Sequence, residues 1–408
     1  MIGESTRMGR ADPAASYDAI VVGLGGIGSA AAYRLATAPG GPRILGLEQF
    51  ELGHDRGASQ DASRITRQSY HRREYVRLAI EAQAAWRDLE QAASVEIITV
   101  TGGLDLAPPG SAESIDDYAD AMTAVGVPFE WLDAIDVARR WPQWRLDPGT
   151  RAIFQQDAGI VDAERGNETH QRLAREAGAV LLERTRVAAI KDHGGEIEAV
   201  TDDGRMFAAG SVIVATDAWT NDLLGSIGRA LPLSVTQEQV TWFEPPDRDA
   251  YGIARFPIWI WLDLPSFYGV PAYGGRGPKV GQDIGGRPTT GSTRTFDPDR
   301  EYLARVETFL ARHLPGTIGG PTRTKTCLYT VTPDRDFVLD RVPDAPGIIV
   351  ALGAAHGYKF AALLGRLLAE MALDRERRPA DARLGLFAID RPALTGAAPI
   401  GEAQRISS

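Results

Sequence analysis

Short apolar runs alternate with amphipathic segments along most of the chain, which is typical of an α/β protein. Residues 17–22 read YDAIVV, a β-branched run that predicts a buried strand, and the segment SAAAYRLA that follows has the spacing of a helix. A second strand is predicted over RILGLE, which ends at Glu48. The chain therefore opens on a predicted strand–helix–strand unit.

The glycines between the first strand and the helix have the spacing of a dinucleotide-binding turn. Gly23, Gly25 and Gly28 take the places of G-x-G-x-x-G, and Glu48 follows twenty residues after the last of them. The three glycines would permit a tight bend, close approach of a pyrophosphate and close packing of helix on strand. The helix N-terminus would favour the phosphates, while Glu48 would accept hydrogen bonds from ribose hydroxyls and repel a 2′-phosphate. The pattern argues against NADP and leaves FAD and NAD both open.

The rest of the chain predicts a second β-rich body threaded through the first. The segment EYVRLAIEAQAAWRDLEQ has helical spacing, and TGGLDLAP is strand-like. Residues 230–325 are rich in β-type and aromatic positions and predict a mixed sheet facing a pocket, whereas residues 347–373 predict a strand, a turn and a helix that return beside the first strand. The predicted fold class is α/β, a discontinuous Rossmann-like domain with a mixed-sheet α+β substrate domain.

The predicted domain boundaries follow these changes of pattern. The Rossmann-like domain takes residues 17–95, 155–228 and 328–390, and the substrate domain takes residues 96–154 and 229–327. A disordered tail is predicted over residues 1–16, which are polar and lack the apolar core of a secretory signal, and a C-terminal tail over residues 391–408.

Composition narrows the classes of partner. The formal charge of -10 on 408 residues repels nucleic acid phosphates and anionic membranes. One cysteine excludes a disulfide framework within the chain, and the six histidines are scattered, so no metal site is predicted. No apolar run approaches the roughly 20 residues that cross a bilayer, and we expect a cytoplasmic protein without membrane or nucleic acid partners.

Several ordered motifs, spread over roughly residues 17–375, carry a family resemblance. The chain resembles the FAD-dependent amine oxidases of the monomeric sarcosine oxidase and N-methyltryptophan oxidase family, within the D-amino acid oxidase superfamily. The resemblance implies an FAD-binding Rossmann-like domain, a monomer, and an oxidase that transfers a hydride from a carboxylate-bearing secondary amine to FAD and reduces O2 to H2O2. The motifs are VVGLGGIGSAAAYRLA, ASRITRQSY, EYVRLA, YGVPAYGGRGPKVG, KTCLYTVTPDRDFVLD and HGYKF.

Cys327 lies in the KTCLYTVTP motif, where the family's cysteine is bonded through sulfur to the flavin ring. The resemblance therefore implies covalent FAD at Cys327. An isolated cysteine is more often a small buried apolar residue. Lys325 and the cationic neighbourhood are expected to favour the reactive thiolate.

Three cations match family positions with distinct roles. Lys279, in GGRGPKVG, matches the lysine beside the flavin that promotes reaction with oxygen, since a fixed positive charge in a dry site stabilises superoxide. Arg67 and Lys359 match the pair that binds the substrate carboxylate, because arginine offers a two-donor fork and lysine a second charge. Read without the motifs, Lys279 is a surface lysine and the other two are members of ordinary ion pairs.

Three further residues match positions near the flavin and the amine. Arg64 matches an arginine close to the flavin, where it would favour the anionic reduced form or anchor a loop. Tyr268 and Tyr329 match aromatic residues that orient the substrate nitrogen, although isolated tyrosines are more often core residues. With Lys279 they complete the predicted catalytic set.

Departures from the sarcosine oxidase pattern leave the substrate open. Gln60 and Asp283 stand where that enzyme has histidines, and Trp259 and Trp261 bring bulkier side chains to the FPIWIWLDLP stretch. These tryptophans favour a larger, aromatic secondary amino acid over sarcosine. Fructosyl amino acid oxidase, cyclic imino acid oxidase and a flavin dehydrogenase with another electron acceptor are the alternatives. A flavoprotein without turnover and an NAD-dependent dehydrogenase fit the motifs less well.

Overall fold

The computed structural model describes residues 16–374 and 382–396. The predicted N-terminal tail lies outside the described residues except for Ser16, as do residues 397–408 of the predicted C-terminal tail. Within the described residues the helices are, in chain order, α1 Gly26–Ala36, α2 Arg73–Ala93, α3 Ile115–Val125, α4 Ala134–Arg140, α5 Ala163–Glu176, α6 Thr220–Gly225, α7 Arg300–His313, α8 Ala361–Leu373 and α9 Pro392–Thr395.

The strands build two large sheets and one small one. In chain order they are β1 Tyr17–Val22, β2 Ile44–Leu47, β3 Arg64–Thr66, β4 Ile98–Val100, β5 Gly103–Ala107, β6 Glu130–Asp133, β7 Arg151–Gln155, β8 Gly159–Val161, β9 Val180–Leu182, β10 Val187–Asp192, β11 Ile197–Thr201, β12 Met206–Val214, β13 Ser234–Phe243, β14 Ile258–Trp261, β15 Phe267–Val270, β16 Lys279–Gln282, β17 Arg287–Pro288, β18 Pro321–Val331, β19 Val338–Val342 and β20 Ala345–Leu352.

The first large sheet has a parallel centre. β1 pairs in parallel with β2 on one side and with β12 on the other, β2 continues to β9, and β12 pairs with β20 over its second half. Helices α1, α5 and α8 pack together, with α1 in contact with the other two. Apolar side chains fill both faces of this sheet, as parallel sheets require. The open edge at the C-terminal ends of β1 and β12 is where dinucleotides bind in such sheets.

The second large sheet is mixed and mostly antiparallel. Its strand order is β17, β13, β16, β15, β14, β5, β7, β6, and β18 pairs along β13. Only β14 and β5 run in parallel within this order. An aromatic core that includes Trp259 and Phe309 packs on one face, against α7. The two sheets confirm the predicted class, a Rossmann-like α/β body joined to a mixed-sheet α+β body.

Helix starts in this chain follow two different rules. Helices α3, α4, α5 and α7 begin after Ser114, Asp133, Asp162 and Asp299, whose side chains accept hydrogen bonds from the first turn. Helix α1 begins after Gly25, which offers no side-chain cap, and its first turn contains no acid. The Gly26 amide at the start of α1 donates a 2.9 Å hydrogen bond to Ser59 Oγ, and the amides of Ile27 and Gly28 remain for a ligand.

Candidate active site

A cavity of about 520 Å³ is lined by residues of both large sheets. It extends from the turn after β1 to strands β15, β16 and β18. No helix of the described residues is long and apolar enough to span a bilayer. Ten of the eleven predicted site residues line it, namely Gly23, Gly25, Glu48, Arg64, Arg67, Tyr268, Lys279, Cys327, Tyr329 and Lys359.

The turn after β1 has the geometry that its glycines predict. Gly23 has a φ of +89°, and a Cβ there would lie 2.5 Å from the carbonyl oxygen of Ala215. Gly28, the eleventh predicted residue, lies in α1, where a Cβ would come within 1.8 Å of the Gly23 carbonyl oxygen. No side chain fits at either place, so the turn and the start of α1 can form only with glycine. The uncapped end of α1 opens into the cavity beside this turn.

Glu48 follows β2 and braces the same turn. Its Oε2 accepts a 2.8 Å hydrogen bond from the Leu24 amide, and its Oε1 accepts one of 3.1 Å from the Phe50 amide. His54 Nε2 lies 3.4 Å from Oε1. A carboxylate has about four acceptor positions, so capacity remains for the ribose hydroxyls that the sequence predicts as its ligand.

Cys327 lies on β18, opposite Glu238 of β13, and is half-buried. Burial raises the pKa of its thiol to about 11, although Arg64 and two other cations pull it down. The expected thiolate is therefore not the resting form. Lys325 contributes little, since its Nζ lies 3.8 Å from Asp55. Gln60 donates a 2.6 Å hydrogen bond to the carbonyl of Thr326 next to the cysteine.

Lys279 begins β16 and is almost completely buried. Its Nζ donates to Asp61 Oδ2 at 2.8 Å and to the Ser63 carbonyl at 2.6 Å. Burial lowers the pKa of Lys279 and Asp61 opposes that shift, while the pKa of Asp61 is held below its usual value despite burial. Arg276 Nη1 lies 3.0 Å from Asp61 Oδ1. Arg64 Nη1 lies 3.6 Å from Asp61 Oδ2, so the predicted oxygen-activating lysine shares its aspartate with two further cations.

Arg64 has the contacts of a loop anchor. Its guanidinium donates hydrogen bonds of 2.9 Å to the carbonyls of Ser63 and Ala58, and another to the Gln60 carbonyl. The same group lowers the pKa of the Cys327 thiol. Both predicted uses, holding a loop and placing charge at the cavity, are compatible with this position.

Arg67 is fixed by a buried partner that sequence reasoning did not name. Its Nη1 lies 2.6 Å from Oδ1 of Asp105 on β5, and Ser69 donates a hydrogen bond to the other carboxylate oxygen. Burial raises the pKa of Asp105, and Arg67 opposes that shift. Tyr70 lies under the guanidinium, with its ring centre 5.0 Å away. The ion pair considered as the alternative role for Arg67 is present, with the arginine between Asp105 and the cavity.

Lys359 lies in the turn before α8 and lines the same part of the cavity. Burial, followed by the charge of Arg67, lowers its pKa to about 7. Among the described residues no carboxylate lies within ion-pairing distance of its Nζ. The neighbouring cations do have such partners, because Arg335 Nη1 lies 3.0 Å from Asp283 and Arg72 forms a two-pronged pair with Asp336.

Tyr268 and Tyr329 meet inside the cavity from β15 and β18. The two hydroxyl groups are within hydrogen-bonding reach, and burial raises the pKa of both, which keeps them neutral. Tyr268 also packs over Gly281, where a Cβ would lie 2.9 Å from its ring. The pair offers neutral hydrogen-bonding groups to a bound amine.

The structure contradicts the reason for expecting an aromatic substrate. Trp259 and Trp261 are 2% and 5% exposed and point away from the cavity into the aromatic core. Trp261 packs on His313 with ring centres 4.5 Å apart. Side chains alternate along a strand, so Ile260 is the β14 residue that reaches the cavity.

Comparison with known proteins agrees with this geometry. A model of the FAD dependent oxidoreductase family, DAO, matches residues 18–371. Monomeric sarcosine oxidase of Bacillus sp. (strain B-0618) is 30% identical over 93% of this chain and 97% of its own length. N-methyl-L-tryptophan oxidase of Yersinia pestis (strain Pestoides F) is 29% identical over 92% of this chain and 99% of its own. The solved structure of NikD, an amino acid oxidase essential for nikkomycin biosynthesis, has a TM-score of 0.81 at 29% identity and covers 90% of this chain and 97% of that one.

Proposed function

The chain belongs to the FAD-dependent oxidoreductases of the DAO family, and on that premise we propose that it is an oxidase of N-alkyl amino acids with FAD bonded to Cys327. The main observation behind this proposal is that one cavity is lined by a dinucleotide-binding turn, the single cysteine, which is half-buried, and a cluster of cations. The sarcosine oxidase and N-methyltryptophan oxidase relatives support the substrate class, because both names denote N-methyl amino acids.

The residues of the cavity fit FAD. The glycine turn and the uncapped α1 would receive the pyrophosphate, Glu48 the ribose, and Cys327 the ring system. When bound, FAD supplies the two-electron chemistry that converts the amine to an imine, which water hydrolyses. The thiol at Cys327 must lose its proton before a bond to the ring forms, and Arg64 is the cation that lowers its pKa most.

The charge of the substrate pocket favours a single carboxylate. Three of its cations, Arg67, Arg72 and Arg335, are each compensated by an aspartate. Lys359 is left with one positive charge, and a substrate carboxylate would supply its partner. A second carboxylate on the substrate would find no uncompensated cation in this group. We therefore propose a monocarboxylate whose amine binds uncharged near Tyr268 and Tyr329.

Lys279 supports O2 as the electron acceptor of the enzyme. A buried ammonium stabilises superoxide, the first product of oxygen reduction, far better than a solvated one does. The bond from Lys279 to Asp61 supports the second candidate, a dehydrogenase that passes electrons to another acceptor, because the aspartate offsets part of that charge. Asp61 has the opposite effect on protonation, since it raises the pKa of the lysine.

A substrate panel with two acceptors tests the proposal. Purified protein is supplied with sarcosine, N-methyl-L-tryptophan and intermediate N-methyl amino acids, and both peroxide formation and reduction of an artificial dye are measured. We expect N-methyl amino acids to give peroxide, and Lys279→Met to lower the oxygen rate at least about a hundredfold while the dye rate changes little. Dye reduction without peroxide in the unmodified protein would favour the dehydrogenase, and no turnover with any N-alkyl amino acid would refute the proposed substrate class.

A further inference from the structure

The last described segment of the chain, residues 382–396, packs against a loop of the substrate pocket. We call it the C-terminal strap, and we call residues 332–337, between β18 and β19, the pocket loop. Phe387 of the strap is fully buried, and its ring centre lies 5.1 Å from that of Phe337 in the loop. Arg391 of the strap is 8% exposed although it is a charged residue near the end of the chain. Buried arginines are paired, so its partners define its role.

Arg391 holds the pocket loop through its whole guanidinium group. Nε lies 2.7 Å from Asp334 Oδ2 and Nη2 lies 2.9 Å from Asp334 Oδ1, a two-pronged pair. Nη2 also donates to the carbonyl of Asp336 at 3.0 Å, and Nη1 donates to that of Phe337 at 2.9 Å. One side chain therefore bonds three residues of a six-residue loop. Lysine could not replace it, because an ammonium lacks the planar fork.

The pocket loop places charged groups in the substrate half of the cavity. Asp334, Arg335 and Asp336 all line that cavity. Arg335 has a φ of +60°, a strained conformation for a non-glycine residue that persists only when its surroundings enforce it. Its side chain pairs with Asp283, and its carbonyl oxygen lies 2.9 Å from His356 Nε2. The loop thus connects with Lys359, whose pKa responds to both Asp283 and Arg335.

We propose that Arg391 is a positioning residue for substrate binding, which fixes the pocket loop and through it the charges around Lys359. The inference rests on the proposed function, since it assumes that a carboxylate binds at Lys359. Arg391 does not line the cavity, so its effect is on the placement of Arg335 and Asp283 and not on contact with the substrate. Loss of the guanidinium frees the strained loop and weakens carboxylate binding, while the electron-transfer step keeps its rate.

The experiment compares Arg391→Gln with Arg341→Gln in the FAD-loaded protein. Arg341 is a matched control because its guanidinium also donates to carbonyls, those of Pro346, Met371 and Asp374, and these three residues lie outside the pocket loop. Binding of propionate, which carries no amine to oxidise, is followed by the visible spectrum, and KM and kcat are measured with the best N-methyl amino acid. Arg391→Lys keeps the charge but lacks the planar fork, and it takes the place of Arg391→Gln if that variant does not fold.

We expect Arg391→Gln and Arg391→Lys to raise the propionate Kd and the KM about ten- to a hundredfold, with kcat changed less than about threefold. Arg341→Gln should leave all three unchanged, whatever it does to the melting temperature. A folded Arg391→Gln protein with the original Kd, or an equal rise in Arg341→Gln, would overturn the inference. If the unmodified protein itself binds no propionate and oxidises no N-alkyl amino acid, the proposed function fails first and the inference fails with it.

Discussion

The pKa of Lys359 is the residue-scale property that decides when the substrate pocket carries charge. Arg67 stays protonated at every accessible pH, but it is already paired with Asp105. Lys359 has a pKa of about 7, because burial and the neighbouring arginines disfavour its charged form. Its lowered pKa means that the ammonium is present below pH 7 and is lost as the pH rises above it.

Carboxylate binding should therefore weaken as the pH rises through about 7. Above that pH the Kd for propionate should rise about tenfold for each pH unit, because only the protonated fraction of Lys359 binds. His356, with a pKa of about 3, does not titrate in the same range. Asp217 of the same cavity does, since burial raises its pKa to about 7, so a Lys359 variant is needed to assign the pH dependence. Lys359→Met should bind propionate weakly and with little pH dependence. A Kd in the unmodified protein that stays constant from pH 6 to 9 would exclude Lys359 as the ligand.

The sequence predicted which residues belong to the site where these residues lie in a local motif. It did not predict the residues with which they form ion pairs. The motif positions of Lys279 and Arg67 led to the cavity, whereas Asp61 and Asp105 carry no local signal that marks them as partners. Asp105 and Arg67 are 38 residues apart in the chain and meet only because β5 passes behind the arginine. Such pairs depend on strand order and register, which periodicity does not specify.

At the scale of single elements, the turn between β1 and α1 should tolerate no side chain at Gly28. A Cβ there would collide with a backbone oxygen that belongs to the same turn, and neither can move without opening the β1–α1 contact. We expect Gly28→Ala to lower the free energy of unfolding by about 3 kcal/mol and to abolish FAD retention. Gly225→Ala is the control, since that glycine lies in α6 with open space around it and should change stability by less than about 1 kcal/mol. Equal effects of the two substitutions would contradict the packing argument.

Side chains of strand β14 point alternately into the cavity and into the aromatic core. Ile260 faces the cavity, whereas Trp261 contacts Phe309 and His313 in the aromatic core. The continuous apolar run IWIW hides this alternation, because a strand buried on both faces has no polar positions to mark which face is which. For this reason the expectation of an aromatic substrate was based on a wrong assumption, that Trp259 and Trp261 face the pocket.

Paired substitutions on this strand should separate substrate choice from stability. Ile260→Ala should enlarge the pocket and raise kcat/KM for N-methyl-L-tryptophan relative to sarcosine by about tenfold, the scale set by a few methylene groups. Trp261→Phe should lower the melting temperature and leave that ratio unchanged. The ratio is measured with the peroxide assay, and a shift caused by Trp261→Phe alone would place the substrate on the other face of the strand.

At the scale of the whole molecule, long-range contacts determine the parts of the site that the sequence did not reveal. Helix and strand periodicity predicted the α/β class and the return of the last long helix, because those signals are local. Arg72 reaches Asp336 across 264 residues, and Arg391 reaches Asp334 across 57. Neither arginine lies in a motif that spacing alone would mark as part of a pocket. The loop that they hold therefore became visible only in the folded chain.

Bound FAD should make the two large sheets unfold together. Whether the FAD is covalently bonded should determine whether the melting temperature depends on protein concentration. The cavity takes its lining from both sheets, so FAD stabilises the folded state of the whole chain by mass action when it binds reversibly. FAD bonded to Cys327 cannot dissociate, and the melting temperature of the unmodified protein should then be independent of protein concentration.

In Cys327→Ser, yellow colour should leave the protein on acid precipitation, and the melting temperature should fall on dilution below the Kd for FAD and recover when FAD is added. A melting temperature that falls on dilution in the unmodified protein as it does in the variant would show that the flavin is held without the covalent bond.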